Sequence, residues 1–231
     1  KAGVRPGVTR AELDRMAEEA IRARGGVPSE KGYEGLPGSI CASPDDMVVH
    51  GIPSEKTVLR EGQIISIDCT VLLDGYQADM ARTFPVGKIS PEAQSLIDAA
   101  KESFGEGLKM ARSGNRIGDI SAAVQACVEG HGYGVVRSLC GHGIGKEMHE
   151  DPEVPNFGKA GHGPRLREGM CIAVEPMITA GDYRVYIAAD DWAFLTRDHS
   201  IAAHYENTLA ITADGDPLIL TMPNGFDGED V

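Results

Sequence analysis

The sequence predicts an α+β fold built from two related halves, and three observations support this class. The segment LREGQIISID at 59–68 is nearly repeated as LREGMCIAVE at 166–175. At the same offset of 107 positions, the helical pattern around Leu13 matches the pattern around Ile120. Strand-like runs next to these helices are joined by two-residue turn signals. Two copies argue for a duplicated unit of helices and strands, and against a solenoid, which needs at least three repeats.

Three helices are predicted by apolar residues that recur every three or four positions. They cover residues 9–25, 90–113 and 118–129. Thr9 followed by Glu12 forms a capping box at the start of the first helix, which ends at a glycine pair. Ser90 and Pro91 provide the cap and the first turn of the second helix. The third helix is the counterpart of the first under the 107-residue offset.

A β-hairpin is predicted where two strand-like runs, 64–71 and 76–84, flank the dipeptide Asp74-Gly75. Asp214-Gly215 predicts another turn of this kind near the C-terminal end. Between strands, these dipeptides favour tight two-residue connections, which fix which residues face each other.

The first hairpin brings two carboxylates together. In a two-residue hairpin at this position Asp79 lies opposite Thr70, so Asp68 is a diagonal neighbour of Asp79, about 7–8 Å away at Cα. Two carboxylates on one inward face are costly unless a positive charge lies between them. On an exposed face they are simply solvated. The hairpin alone leaves both interpretations open.

The repeat favours a shared site, because it places Glu175 at the position equivalent to Asp68. A pseudo-two-fold axis through the domain brings these two carboxylates together at its centre. The same half contains His142 and His149 in CGHGIGKEMHEDP, and Glu206 in HYENT. The glycines around His142 allow a close backbone approach that side chains block. The other isolated histidines are expected to be structural: His131, His162 and His199.

Composition excludes several classes of protein. The net charge of -13 disfavours a nucleic-acid partner, because phosphate binding relies on clustered Lys and Arg. The five cysteines are an odd number without a C-x-x-C pair, which is typical of reduced thiols in a cytoplasmic protein. We find no signal peptide and no apolar run of about 18 residues, so no membrane association is predicted. The sequence has no coiled-coil pattern that would indicate an oligomer, so a monomer is expected.

The domain prediction is a single catalytic domain over residues 1–231, made of two related halves at about 1–107 and 108–222. The Gly-, Asp- and Glu-rich segment 223–231 is predicted to be a flexible tail. A long helix precedes the second copy of the repeat but not the first. We therefore expect that a helix of the fold is missing ahead of Lys1.

Together, these motifs resemble type I methionine aminopeptidases, in their bacterial-like form, within metallopeptidase family M24. The resemblance runs from about Pro6 to Thr221 with the spacings kept, and it rests on VVHGIP, SIDCTVLLDGYQADMARTF, CGHGIGKEMHE, VEPM and YENT. It implies the pita-bread fold, a curved antiparallel sheet backed by helices in two pseudo-symmetric halves. It also implies a hydrolase of protein maturation, which cleaves the bond after an N-terminal (initiator) methionine of nascent proteins through a metal-bridging hydroxide.

The resemblance also implies the site residues. Two divalent ions (Co, Mn, Fe(II) or Zn) are expected on five ligands: Asp68, Asp79, His142, Glu175 and Glu206. Asp79 and Glu206 bridge both ions in the family, Asp68 completes one site, and His142 with Glu175 completes the other. Glu175 relays a proton, while His50 and His149 bind the substrate backbone. The pocket for the methionine side chain is expected at Tyr33, Cys41, Met148 and Trp192.

This sequence departs from the family pattern at four positions around the site. Leu36 and Met148 stand where an aromatic residue is common, Glu34 where histidine is frequent, and His204 where glutamine is frequent. These differences affect the expected side-chain and inhibitor preferences more than the expected reaction.

Two alternatives are kept. Prolidases and X-Pro aminopeptidases share the fold and the ligands, but they resemble longer chains with different motifs around His50. A non-catalytic binding module on the same fold typically loses ligands, whereas all five are present here. The partners implied by the resemblance are nascent polypeptides that begin with Met, with the ribosome as a further candidate.

Overall fold

The computed structural model describes residues 2–213 and 215–222. Its helices are α1 (Arg10–Ala23), α2 (Pro91–Met110) and α3 (Ile117–Gly130), with a short 3-10 turn at Tyr33–Gly35. The strands, in chain order, are β1 (Val27–Pro28), β2 (Cys41–Pro44), β3 (Met47–Val49), β4 (Ile64–Leu73), β5 (Tyr76–Pro85), β6 (Gly134–Val135), β7 (Cys140–Gly143), β8 (Glu150–Pro155), β9 (Cys171–Val174), β10 (Met177–Thr179), β11 (Val185–Ile187), β12 (Phe194–Thr196), β13 (Ala202–His204), β14 (Asn207–Ala210) and β15 (Leu218–Ile219).

The helix starts follow the predicted capping residues. Thr9 Oγ1 accepts a hydrogen bond from the Glu12 amide at 3.1 Å, and Glu12 Oε2 accepts one from the Thr9 amide at 2.7 Å. Ser90 Oγ accepts a bond from the Ala93 amide at 3.1 Å. Both predicted starts are therefore confirmed. Helix α2 ends at Met110 rather than near Ser113, because its last carbonyl accepts the Asn115 side-chain amide at 2.9 Å.

The predicted hairpin of β4 and β5 is confirmed with its register. Leu73 pairs with Tyr76 across the turn, and Thr70 pairs with Asp79. Strand β4 also pairs with β1 and β2 on its other side, which gives the order β1-β4-β2 with β5 joined to β4. The remaining sheets have the orders β13-β10-β6, β11-β12-β3 and β15-β14-β9-β7-β8.

The two halves repeat the same elements at the offset seen in the sequence. Helices α1 and α3 both have 14 residues, and they begin at Arg10 and Ile117. Strands β1 and β6 begin at Val27 and Gly134, again 107 positions apart. The equivalent of β4, which begins at Ile64, is β9, which begins at Cys171.

Helices α2 and α3 cover the largest hydrophobic cluster. Leu96 and Phe104 of α2 and Val124 of α3 are fully buried against Ile172 and Leu209 of the five-stranded sheet. A smaller cluster lies beneath α1 and includes Leu13, Ile40 and Ile65. The apolar helix stripes inferred from the sequence are thus the surfaces that cover the sheets.

The two halves meet where β5 runs beside the segment from β13 to β14. The Glu206 amide donates to the Ala81 carbonyl at 2.9 Å. Thr208 Oγ1 accepts from the Asp79 amide at 2.9 Å and donates to the Asp79 carbonyl at 3.0 Å. These bonds hold two acidic residues from opposite halves next to each other.

Some predictions reach beyond the described residues. The tail at 223–231 lies outside them, as does Asp214 of the predicted second turn. The antiparallel pairing of Leu209 with Ile219 brackets that turn. Within the part of the chain that the structure describes, no helix has both the length and the apolar character needed to cross a membrane.

Candidate metal centre

Five strands and strand ends bring the predicted ligands to one cavity of about 200 Å³. Asp68 lies on β4 and Asp79 on β5, while His142 lies on β7. Glu175 follows β9, and Glu206 lies between β13 and β14. All five side chains line this cavity, although they are separated by up to 138 positions along the sequence, from Asp68 to Glu206.

His142 faces the acidic residues with a defined tautomer. Its Nδ1 lies 2.9 Å from the Gly143 carbonyl oxygen, so Nδ1 carries the proton and Nε2 presents a lone pair. Nε2 is 3.7 Å from Glu175 Oε1 and 3.9 Å from Asp79 Oδ2. These distances leave the space between the side chains for a ligand rather than close it with hydrogen bonds.

The glycines next to His142 have the role inferred from the sequence. A Cβ atom on Gly141 would lie 2.3 Å from the Ala173 carbonyl oxygen, and one on Gly143 would lie 2.2 Å from the Asp151 carbonyl oxygen. Strand β7 therefore fits between β8 and β9 only because these residues lack side chains.

The carboxylates are shielded from solvent. Asp79 is 5% exposed and Glu206 is 1% exposed, so the interpretation of the first hairpin as a solvated face is wrong. Asp68 Oδ1, Asp79 Oδ1 and Glu206 Oε1 are buried and have no hydrogen-bond partner among the described residues. Such oxygens are costly unless a cation binds them.

Burial and mutual repulsion change the acidity of this cluster. Burial raises the pKa of Asp68, Glu175 and Glu206 well above the usual range of carboxyl groups, and the charge of Asp79 raises each of them further. Both effects favour the protonated forms of these groups, whereas a bound cation favours their charged forms.

Two overlapping groups of side chains have donor atoms within 4.8 Å of one another. One contains Asp79, His142 and Glu206, and the other contains Asp68, His204 and Glu206. Carboxylate oxygens with imidazole nitrogens suit divalent transition metals. The residues present therefore fit a divalent metal.

Two further histidines line the same cavity. His149 stacks edge-on against His142 with ring centroids 4.4 Å apart, and its Nδ1 lies 2.8 Å from the Tyr33 hydroxyl. His50 packs edge-on against Phe194 at 5.7 Å and adopts a positive φ of 59°. Burial lowers the pKa of both histidines, which favours their neutral forms.

The predicted methionine-pocket residues line the cavity as well. Tyr33, Cys41, Met148 and Trp192 form part of its wall, together with Leu36 and Glu34. Leu36, Cys41 and Met148 are buried and give the wall an apolar character. The structure thus gathers every predicted site residue, while the role of each stays a prediction.

Sequence reasoning missed Glu30 as a residue of the cavity. Glu30 is 6% exposed and accepts a hydrogen bond from Cys41 Sγ at 2.9 Å. Burial, together with the charge of Asp79, raises the pKa of Glu30 to about 8. It follows a two-residue strand, where no alternation pattern indicates which way a side chain faces.

The remaining histidines separate into two kinds. His131, His162 and His199 lie at the surface with hydrogen-bond partners, as expected of structural residues. His204, which the resemblance placed around the site without a role, is 1% exposed and lies beside Asp68 and Glu206. Burial lowers the pKa of His204 to about 3, so its ring is neutral.

Comparison with known proteins places these observations in one family. The sequence pattern of metallopeptidase family M24 matches residues 1–213. The chain is 56% identical to the methionine aminopeptidase of Clostridium acetobutylicum over 218 residues, which cover 94% of this chain and 87% of that protein. The crystal structure of methionine aminopeptidase from Rickettsia prowazekii superposes with a TM-score of 0.93 at 39% identity, over 95% of this chain and 88% of that one.

The prolidase alternative is less well supported. Prolidase from Pyrococcus furiosus has a TM-score of 0.71 and 21% identity, and this chain covers 58% of its length. That likeness shows the shared fold alone. The chain has the pita-bread fold and belongs to the methionine aminopeptidases of metallopeptidase family M24.

Proposed function

We propose that this protein is a metal-dependent aminopeptidase that hydrolyses the peptide bond after an N-terminal methionine. The observation that carries the proposal is the group of buried carboxylate oxygens without partners, contributed by both halves to one cavity. The high identity to proteins named methionine aminopeptidase over most of the chain supports the same activity.

The proposed cofactor is a pair of divalent ions, with Co, Mn, Fe(II) and Zn as candidates. Asp68, Asp79, Glu175 and Glu206 together carry four negative charges, which two divalent cations balance. Glu206 belongs to both groups of potential donors, and the family resemblance implies that Asp79 and Glu206 would help to hold both ions. When bound, the ions supply a water that is nucleophilic at neutral pH and polarise the scissile carbonyl.

We propose that Glu175 moves a proton during the reaction. Its Oε1 and Oε2 face His142 and His204 at 3.7 Å each, and the residue lines both the small cavity and an adjoining cleft of about 510 Å³. A carboxylate at this boundary can take a proton from the attacking water and pass it to the departing amine.

His149 is proposed to donate a hydrogen bond to the scissile carbonyl oxygen. The Tyr33 hydroxyl lies 2.8 Å from His149 Nδ1, and we assign the hydroxyl as the donor, which leaves the ring proton on Nε2. A neutral imidazole held in this tautomer is a fixed donor for the negative charge that develops on the oxygen. His50 lines both the cavity and the cleft, and we assign it to the leaving nitrogen or the substrate backbone.

The small cavity suits a single apolar side chain. At about 200 Å³ it is smaller than the roughly 300–1,000 Å³ of pockets for drug-sized ligands. Leu36, Met148 and Trp192 offer apolar contacts, and thioether sulfur packs favourably near aromatic rings. The rest of the peptide then extends through the adjoining cleft.

The proposed substrates are nascent polypeptides that begin with methionine. The proposed site of action is the cytoplasm, and the ribosome is the proposed docking partner of a monomeric enzyme. These features follow from the family resemblance and from the sequence composition.

The test is methionine release from the peptide Met-Gly-Met-Met by metal-stripped protein, titrated separately with Mn, Co, Fe(II) and Zn. We expect turnover that requires metal and removes the first methionine only. Glu206→Ala should abolish it, while Glu92→Ala, which changes an exposed glutamate on α2, should leave it unchanged.

Two outcomes would contradict the proposal. Cleavage of X-Pro peptides in preference to Met-Gly-Met-Met would favour the prolidase-like alternative. Binding of metal without turnover of any peptide would favour a non-catalytic module.

A further inference from the structure

His204 is a buried histidine whose ring has no hydrogen-bond partner among the described residues. The residue is 1% exposed, and both Nδ1 and Nε2 are buried and unsatisfied. Most buried polar groups in folded proteins are hydrogen-bonded, because burial removes their bonds to water. An imidazole in this state points to a ligand that satisfies it.

The ring points at the acidic cluster. His204 ends β13, where it pairs with Met177, and its Nε2 lies 3.7 Å from Glu175 Oε2 and 3.8 Å from Glu206 Oε2. Both distances are too long for hydrogen bonds. Ligand atoms about 2.1 Å from one octahedral ion are separated by roughly 3.0 Å when adjacent and 4.2 Å when opposite. The distance from His204 Nε2 to Glu206 Oε2 lies between these values, and Asp68, His204 and Glu206 form one group of potential donors.

His142, an expected ligand, has the same relation to the cluster. Its Nε2 lies 3.7 Å from Glu175 Oε1 and 3.9 Å from Asp79 Oδ2. The two groups of potential donors share Glu206, and each contains one histidine. His204 therefore belongs to the group of Asp68 and Glu206, as His142 belongs to the group of Asp79 and Glu206.

We propose that His204 Nε2 is a metal ligand, on the ion that Asp68 and Glu206 hold. Each of the two ions then has one imidazole, rather than one ion having an imidazole and the other only carboxylates. This inference rests on the proposed metal centre and extends it. A nitrogen ligand at both ions favours later transition metals such as Co and Zn over Mn.

The test counts the coordinated imidazoles by proton NMR of the protein loaded with two equivalents of Co(II). Each imidazole bound to paramagnetic Co(II) gives a strongly shifted ring N–H signal that disappears in D₂O on exchange. We expect two such signals. His204→Gln should remove one and His142→Gln the other, while His199→Gln, at the surface, should remove neither.

The retained His142 signal in His204→Gln shows that this variant still folds and still binds metal. We also expect its Co(II) dissociation constant, measured by titration calorimetry, to rise at least tenfold. A wild-type spectrum whose shifted N–H signals all survive His204→Gln would overturn the proposal.

The outcome is separable from the proposed function, because the count of imidazoles does not depend on catalysis. An active wild-type enzyme without a His204 signal would leave the aminopeptidase function intact and reject the ligand. An inactive wild-type protein that shows both signals would support His204 as a ligand and reject the aminopeptidase function.

Discussion

Arg82 holds the segment that carries Glu206, and its replacement should be among the most damaging changes outside the ligands. The residue is 6% exposed. Its guanidinium donates to the Glu206 carbonyl at 2.5 Å and to Asn207 Oδ1 at 2.8 Å, and it lies over the Tyr205 ring with Cζ 3.9 Å from the centroid. One side chain therefore contacts three consecutive residues from the other half of the fold.

The expected cost of Arg82→Met follows from these contacts. A hydrogen bond with a charged donor contributes about 1.5–3 kcal/mol, and the change removes the bonds to Glu206 and Asn207 together with a third bond to the Ala81 carbonyl at 2.8 Å. Because the methionine side chain recovers part of the apolar packing of the arginine stem, we expect a net loss of about 3–5 kcal/mol in the free energy of unfolding. At roughly 2–4 °C per kcal/mol for a chain of this size, the melting temperature should fall by about 6–20 °C.

The assay is urea unfolding of metal-stripped protein followed by circular dichroism. Arg82→Lys keeps a charged donor but not the planar fork, and should fall between the parent and Arg82→Met. The matched control is Arg15→Met, since Arg15 makes an exposed ion pair with Glu55 at 2.5 Å, and its midpoint should stay at that of the parent. A loss below about 1 kcal/mol for Arg82→Met would refute the assignment of these bonds as a main support of the Glu206 segment.

Three further predictions concern the cavity. Tyr33→Phe removes the hydroxyl that contacts His149, so kcat for Met-Gly-Met-Met should fall by about threefold to tenfold, equivalent to roughly 1 kcal/mol. The change in KM should be smaller, and an unchanged kcat would argue against a positioning role for this hydroxyl. Gly141→Ala places a Cβ 2.3 Å from the Ala173 carbonyl oxygen, so it should destabilise the protein by about 1–3 kcal/mol in urea unfolding and weaken Co(II) binding. If the free energy of unfolding and the Co(II) affinity both stay at the parental values, β7 can shift freely. Glu30→Gln should stabilise the metal-stripped protein increasingly as pH rises, because a carboxyl whose pKa is raised to about 8 in the folded state and about 4.3 in the unfolded state destabilises the fold progressively over that window. The difference in urea midpoint between Glu30→Gln and the parent should therefore be larger at pH 8 than at pH 5, and a difference independent of pH would contradict the burial of an uncharged Glu30.

Local signals in the sequence were sufficient for the elements and for most of the site. Capping residues at Thr9 and Ser90 fixed two helix starts, because a cap satisfies amides that the helix itself leaves free. The Asp74-Gly75 turn fixed the register that sets Thr70 opposite Asp79, because a two-residue turn allows only one pairing. The repeat then related Glu175 to Asp68 without any knowledge of the fold.

What the sequence by itself determined was therefore the duplicated α+β architecture, the family and the identity of the ligand-type residues. Only the tertiary structure decided that Glu30 lines the cavity with them and that the His204 ring lies beside Asp68 and Glu206. Glu30 follows a two-residue strand and His204 ends a three-residue strand, and neither is long enough to define a buried face. Both are brought in by contacts with distant residues, Glu30 through Cys41 and His204 through the pairing of β13 with β10. Long-range pairing, which depends on the packing of the two halves, thus decides which carboxyl groups and which imidazole nitrogens lie at the site.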